Sequence, residues 1–384
     1  MAKKSAVAEL TEDIVTKTKE NSQLSTTYVE TGCVGFDLGL TNGNGIPEGA
    51  MISMFAPPGV GKTTITADIL YRILDRTEKE KKKFKAVYID VEGSRELLRA
   101  MGLQRFIDSG TLLLKDVDAL KGEISFDKVE EIYQEILDGK EEEYKGVKMI
   151  VIDSLTGVTS KTLLEASVDK ADFGSNAKER ERFYRKYVPK LKQKRIINIF
   201  ICQVRRNQGA SNNPYASQTR PATSELDQHW MDFIIKFAKK ESASNEGINK
   251  IKVVTAEGVQ EVTRRFQLGM ATKGDGCKNR YGDMPNMTML VERGRRVINT
   301  FSIRKLLETL KYIKKEVASK KLWSMNDDLC TLIGKEEFKG NKEIKEFDIN
   351  TAIRENILTI KQFLKDNGQY KAILSEELIE DDGM

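Results

Sequence analysis

The sequence predicts an α/β fold, a mainly parallel central sheet built around a phosphate-binding loop. Three observations carry that expectation. Residues 32–300 alternate strand-like and helix-like segments. The apolar run Met51-Ile52-Ser53-Met54-Phe55 leads into Ala56-Pro57-Pro58-Gly59-Val60-Gly61-Lys62-Thr63-Thr64, then into an amphipathic stretch with Ile65, Ile69, Leu70 and Ile73. A second buried-type run, Met149-Ile150-Val151-Ile152, ends in Asp153.

Taken in order, residues 5–20 read as a short helix with Val7, Leu10, Ile14 and Val15 on one face. It is too small to form a core alone and is expected to dock on the main domain or a neighbouring subunit. Residues 21–31 form a Ser/Thr-rich linker ending in an extended Tyr28-Val29. Strands are expected at 50–55, 86–90, 111–114, 148–152, 196–202 and 231–237, and helices at 62–76, 94–101, 126–138, 176–193 and 224–230. Thr77–Lys85 reads as a charged connection. The stretches 157–178 and 204–222 are polar, and the second is too long and too polar for an ordinary connection, a kind of loop that is functional or disordered. From 301, Leu306, Leu307, Leu310 and Ile313 sit at helical spacing. The expected organisation is therefore an N-terminal helix and linker (1–31), an α/β core (32–300), and a small helical C-terminal domain with an acidic tail (301–384).

Composition narrows the chemistry. His229 is the single histidine, which removes catalytic triads and histidine-ligated metals from consideration. Cysteines 33, 202, 277 and 330 are too dispersed for a metal knuckle, and three are expected in or beside strands as reduced, packed thiols. No apolar run approaches the roughly 18 residues that span a bilayer. Met1-Ala2-Lys3-Lys4 is followed by Glu9, Glu12 and Asp13 with no apolar leader segment, so a cytoplasmic, non-membrane location is expected. The net charge of +5 conceals an asymmetry. Arg182 to Ser224 contains no Asp or Glu, whereas the chain closes with Glu376, Glu377, Glu380, Asp381 and Asp382. A basic centre with an acidic tail points to a polyanionic partner.

Strand, glycine loop with Gly-Lys-Thr, then helix is the context of a P-loop, whose backbone N–H groups cradle polyphosphate. Pro57, Pro58, Gly59, Val60, Gly61, Lys62, Thr63 and Thr64 are the expected nucleotide-binding residues. Lys62 reaches the β/γ-phosphates and Thr63 ligates Mg²⁺. Ala56 stands where glycine is usual, and it serves as long as its φ stays negative. Hydrolysis also needs a carboxylate for the metal and an orienting group for water. Asp153, at a strand tip, suits the first. Glu92, just past Ala86-Val87-Tyr88-Ile89-Asp90, suits the second. Gln203 ends the strand Ile199-Phe200-Ile201-Cys202, where an amide can sense a γ-phosphate and relay it to the polar loop that follows. The cofactors expected are ATP and Mg²⁺.

With these residues in place the chain resembles the RecA-type recombinases, and among them the phage UvsX-like members. The resemblance rests on Glu30-Thr31-Gly32-Cys33-Val34-Gly35-Phe36-Asp37, similar to the family's opening Ser-Thr-Gly strand. It rests also on Gly45-Ile46-Pro47-Glu48-Gly49, Asp90-Val91-Glu92, Ile152-Asp153-Ser154 and Cys202-Gln203-Val204-Arg205 in this order. It implies a RecA-like P-loop ATPase core, catalytic Glu92, a first DNA loop near 157–178, and a second near 204–222 with Arg205, Arg206 and Arg220. It also implies that Lys278 and Arg280 reach ATP on an adjacent subunit of a homo-oligomeric filament. The implied activity is DNA-dependent ATP hydrolysis coupled to filament formation on single-stranded DNA and to pairing with homologous duplex, in a phage or bacterial cell. The alternatives are a ring helicase or branch-migration motor of DnaB- or RadA-like kind and a KaiC-like ATP-binding scaffold. The chain departs from the family at Arg220-Pro221, where Gly-Gly is typical. It also lacks a clear adenine-stacking tyrosine, which leaves Leu97 or Arg99 to cover the base.

Overall fold

The computed structural model of the chain describes residues 26–120, 122, 124–161, 175–206, 219–221, 227–240, 250–255, 258–272, 276–282, 287–317 and 320–367. The helix expected at 5–20, the acidic tail, and most of the two expected DNA loops lie outside the described residues.

The described chain opens with β1 (Tyr28–Val29), which pairs antiparallel with β2 (Ile46–Pro47), and between them runs α1 (Val34–Thr41). The opening strand suggested by the resemblance is thus two residues long, and Val34–Asp37 belongs to a helix. The reason is packing. Every residue of α1 is buried, and its glycines, four apart on one face, allow close approach. A Cβ on Gly35 would lie 2.8 Å from Ser302 Oγ, and one on Gly39 would collide with Met270 Cε.

Next come β3 (Met51–Phe55), α2 (Lys62–Lys79), β4 (Lys85–Asp90), α3 (Arg95–Ala100), α4 (Gln104–Asp108), β5 (Leu112–Lys115), α5 (Phe126–Asp138), β6 (Val147–Asp153), α6 (Ser175–Gln193) and β7 (Ile197–Cys202). They are followed by β8 (Val204–Arg206), β9 (Thr219–Pro221), α7 (Asp227–Trp230), β10 (Phe233–Lys240), the hairpin β11 (Lys250–Thr255) and β12 (Gly258–Thr263), then β13 (Arg265–Ala271), β14 (Lys278–Asn279), β15 (Met287–Glu292) and β16 (Val297–Ile298). The main sheet has the order β16-β15-β13-β10-β3-β7-β6-β4-β5, with β14 also on β10. The six strands expected from the sequence form its parallel part, β10 through β5. The antiparallel extension β13-β15-β16 was not anticipated. The charged connection expected from Thr77 is also shorter: α2 continues to Lys79, with Thr77 Oγ1 donating to Ile73 O, and the turn comes at Lys81, φ +54°.

Strand alternation divides the core between the two sheet faces. Ile52 and Met54 of β3 join α1 and α2 on one face, while Met51 and Phe55 join α5 and α6 on the other. The segment after 300 is not helical throughout. α8 (Asn299–Thr309) ends before Lys311, φ +61°, and Ile313 opens a three-stranded antiparallel sheet of β17 (Ile313–Val317), β18 (Leu322–Met325) and β19 (Ile344–Lys345). α9 (Asp327–Leu332), α10 (Glu346–Glu355) and α11 (Ile357–Asn367) complete it. Trp323, Ile353 and Ile360 are buried in the same hydrophobic cluster as α1 and α2, so this unit and the core share one interior. Of the cysteines, Cys202 is in β7 and Cys277 beside β14, but Cys33 caps α1 and Cys330 is in α9. Burial pushes the Cys33 thiol up to about 12, so it behaves as an apolar packing group. No described helix is long and apolar enough to cross a membrane.

One ion pair ties α11 to α1. Asp37 is wholly buried, accepts from Thr31 N at 3.1 Å and Thr31 Oγ1 at 2.7 Å, and faces Lys361 Nζ at 3.4 Å. Burial raises its carboxyl above the usual range, against the opposing pull of Lys361 and Thr31. Lys361→Met is therefore expected to cost about 3 kcal/mol at neutral pH, because it leaves a buried carboxylate without its cation. That loss should shrink as acid protonates Asp37. Urea unfolding of both proteins across pH checks this.

Candidate active site

Parallel strands finish together, so β3, β4, β6 and β7 deliver Phe55, Asp90, Asp153 and Cys202 to one edge of the sheet. The phosphate loop leaves β3 at that edge. Ala56 is wholly buried and is not among the described residues with positive φ. Gly59 (φ +69°) and Gly61 (φ +108°) take the left-handed conformations that turn the loop into α2. Lys62 is almost wholly buried and donates to Ala56 O at 2.8 Å and Pro57 O at 3.3 Å. Burial lowers its ammonium pKa, partly offset by the carboxylates of Glu92 and Asp153. An ammonium that, among the described residues, hydrogen-bonds to two carbonyls of its own loop is ready for a stronger anionic partner.

Asp153 is the centre of the site. Thr63 Oγ1 donates to its Oδ2 at 2.8 Å, and Tyr88 Oη donates to the same oxygen at 2.6 Å. Its carbonyl accepts from Val91 N at 2.7 Å and Glu92 N at 3.1 Å, which fixes where Glu92 leaves β4. Burial raises its carboxyl to about 6, opposed by the Tyr88 and Thr63 hydrogen bonds and assisted by Glu92 and Asp90. Oδ1 is buried with no hydrogen-bond partner. A hard divalent cation with its waters suits this donor set, a hydroxyl beside a carboxylate with a free acceptor oxygen. Gln203 Nε2 donates to Glu92 Oε1 at 3.3 Å, so the residue just past β7 touches the carboxylate past β4.

These groups open into a cavity of about 370 Å³. Of the expected residues, Pro58, Gly59, Gly61, Lys62, Thr63, Thr64, Glu92 and Gln203 line it, and Asp153 is bonded to Thr63 beneath it. Pro57 contributes its carbonyl to Lys62, and Val60 is buried in the core. Leu97 lines the cavity, whereas Arg99 pairs with Glu96 at 3.0 Å. Phe266, Arg293 and Gly294 complete the wall from β13 and from the β15–β16 turn.

The sequence comparison decides what this arrangement belongs to. The RecA N-terminal domain profile matches residues 4–255. The chain belongs to the RecA family. Similar curated proteins include Protein RecA of a Nitratiruptor species, 31% identical over 182 residues, 47% of each chain. Protein RecA of Rickettsia conorii is 28% identical over 177 residues, 46% of each. Protein RecA of Wigglesworthia glossinidia brevipalpis is 26% identical over 186 residues, 48% of this chain and 50% of the relative. The match thus spans about half the length of these curated relatives.

In this RecA-family chain Lys278 and Arg280 do not join the cavity. β14 pairs with the start of β10, Ile234 against Lys278 and Phe233 against Asn279. β10 lies beside β3 with Phe233 opposite Ile52, so the pair sits at the far end of the sheet, about 13 Å of strand from the loop. There Asp232 receives Arg280 Nη1 at 2.8 Å, Lys192 Nζ at 2.8 Å and Met51 N at 3.0 Å. Burial, then Arg280, lowers the Lys278 ammonium pKa, against Asp232. Among the described residues, the cations Lys192, Lys278 and Arg280 thus surround one buried carboxylate. Arg205, Arg206 and Arg220 lie in the two-stranded ladder β8–β9, which begins one residue after Gln203 and places positions 205 and 220 opposite one another.

Sequence reasoning missed Tyr88, Phe266, Arg293 and Gly294. Tyr88 could have been found by parity, since it stands two residues before Asp90 on the same face of β4. The others lie in the unanticipated antiparallel extension. Phe266 closes on the loop: a Cβ on Gly61 would sit 3.0 Å from Phe266 Cζ. Gly61→Ala is accordingly expected to destabilise the fold by about 1–3 kcal/mol through its positive φ. Adding Phe266→Ala should return only the steric part, as read by thermal unfolding of the single and double variants.

Proposed function

We propose that the chain is a DNA-dependent ATPase that assembles on single-stranded DNA as a filament and pairs that strand with homologous duplex in recombination and repair, using ATP and Mg²⁺. The observation that carries this reading is the Gln203–Glu92 hydrogen bond at the cavity mouth, one residue before the base of the arginine-bearing loop. Nucleotide state and DNA contact then meet at one pair of side chains. A cytoplasmic site of action in a bacterial or phage-infected cell belongs to the same proposal.

The geometry supports the following roles. The backbone of Gly59 to Thr64 receives the phosphates, and Lys62 exchanges its two carbonyl partners for phosphate oxygens. Thr63 and Asp153 would hold Mg²⁺, which when bound neutralises phosphate charge. Glu92 orients the attacking water and accepts its proton. Gln203, bonded to Glu92 at rest, shifts toward phosphate when nucleotide is present and moves the root of β8. Leu97, Phe266 and Gly294 flank the base. Arg205, Arg206 and Arg220 bind DNA phosphates, which makes affinity salt-sensitive. Lys278 and Arg280, remote from their own loop, complete the site of the next subunit.

Two experiments test this. Lys62→Ala should abolish hydrolysis, whereas Glu92→Gln should keep nucleotide binding and lose about 10²-fold or more in turnover. A Glu92→Gln protein with near-normal DNA-stimulated turnover removes Glu92 from its role.

The shared site is tested by mixing. Lys278→Ala/Arg280→Ala should lack DNA-stimulated turnover yet bind nucleotide as an isolated subunit, and mixing it with Lys62→Ala should restore part of the activity. Co-assembled mixtures with no recovery contradict a site shared between subunits. Electron microscopy with ATP and single-stranded DNA should show filaments, and closed rings would replace this reading with a ring motor.

A further inference from the structure

Tyr88 is a buried polar group that the proposed catalytic roles leave unused. β4 and β6 are parallel neighbours with Tyr88 opposite Val151 and Asp90 opposite Asp153. Side chains two apart share a face, so Tyr88 and Asp153 lie diagonally across the pair on the α2 side. The ring is wholly buried within the α1–α2 core, which Phe would fill as well. The hydroxyl is therefore the informative atom. Burying it without a partner is unfavourable, and its hydrogen bond runs to Asp153 Oδ2 at 2.6 Å. Thr63 Oγ1 donates to the same oxygen at 2.8 Å. A hydroxyl has one proton and two lone pairs, so Thr63 can keep that bond and still offer a lone pair to a cation. Tyr88 has no such second duty.

We propose that Tyr88 is the positioning residue of the metal-facing carboxylate. It fixes the Asp153 rotamer from the strand behind, so that Oδ2 is committed to Thr63 and Oδ1 is left as the acceptor for a metal-bound water. The inference rests on Asp153 serving Mg²⁺. It goes beyond that reading by assigning the orientation of the carboxylate to β4 rather than to the loop. Carboxylate orientation is then set before nucleotide arrives. Loss of a hydrogen bond of this kind, behind a metal-facing group, weakens metal binding by about tenfold to a hundredfold.

The test is ADP binding by calorimetry, with Mg²⁺ and with EDTA, on wild type and Tyr88→Phe. The quantity read is the factor by which Mg²⁺ tightens ADP. Tyr88→Phe should bind ADP in EDTA as wild type does and lose about tenfold in the Mg²⁺ factor. In an Asp153→Asn background the same change should do nothing further. Incorporating 3-fluorotyrosine at 88, which keeps the hydroxyl and the volume, should retain the factor, and it carries the test if Tyr88→Phe fails to fold. An unchanged Mg²⁺ factor in Tyr88→Phe, equal weakening with and without metal, a persistent effect in Asp153→Asn, or loss of the factor with 3-fluorotyrosine each overturns the proposal. If wild type itself shows no Mg²⁺ factor, the reading of Asp153 falls, and this inference falls with it.

Discussion

The architecture of the site depends on one buried carboxylate. Asp153 ends β6 where four parallel strands reach a common edge, and it contacts each neighbour differently: the loop through Thr63, β4 through Tyr88, and the start of the Glu92 segment through its own carbonyl. A carboxylate in this position is unfavourable unless its lone pairs are used. Two hydroxyls satisfy Oδ2, and Oδ1 remains open inside the protein. The unfavourable burial is thereby localised to one atom, Oδ1, and burial is also what raises the carboxyl pKa.

A second constraint is the length of the sheet. Parallel strands separate the two ends of the molecule by chemistry as well as distance. One end carries the loop, Glu92 and Gln203. The other carries Lys192, Lys278 and Arg280 gathered on Asp232. Within one chain these sets cannot meet, since β3 lies between them. On the proposed function, head-to-tail stacking of copies brings them together, and heterologous contacts of that kind generate open helical assemblies unless the rotation closes. The described part of the C-terminal unit is fastened to α1 and shares its interior.

The sequence showed the parallel half of the fold and the loop chemistry clearly, because both rest on local pattern. Four apolar residues ending in Asp153, and a Gly-Lys-Thr after a strand, need no partner to be recognised. What it concealed depended on packing. α1 looks extended until Gly35 and Gly39 meet Ser302 and Met270. Ile313 fits a helical stripe until Lys311 turns the chain. Phe266 and Arg293 reach the cavity only because β13 and β15 add antiparallel strands beside β10. Tyr88 stood in plain view on a strand, but its role lies in a diagonal contact with another strand.

On the proposed function, the nucleotide cavity and the arginine-bearing loop are coupled through Gln203. Coupling between two sites is reciprocal, so it can be measured from either side. The direct measurement is single-stranded DNA affinity with and without a non-hydrolysable ATP analogue, for wild type and Gln203→Ala. The analogue should tighten DNA binding in wild type, and the factor should fall close to one in Gln203→Ala while analogue binding without DNA is unchanged. An undiminished factor in Gln203→Ala would contradict the coupling.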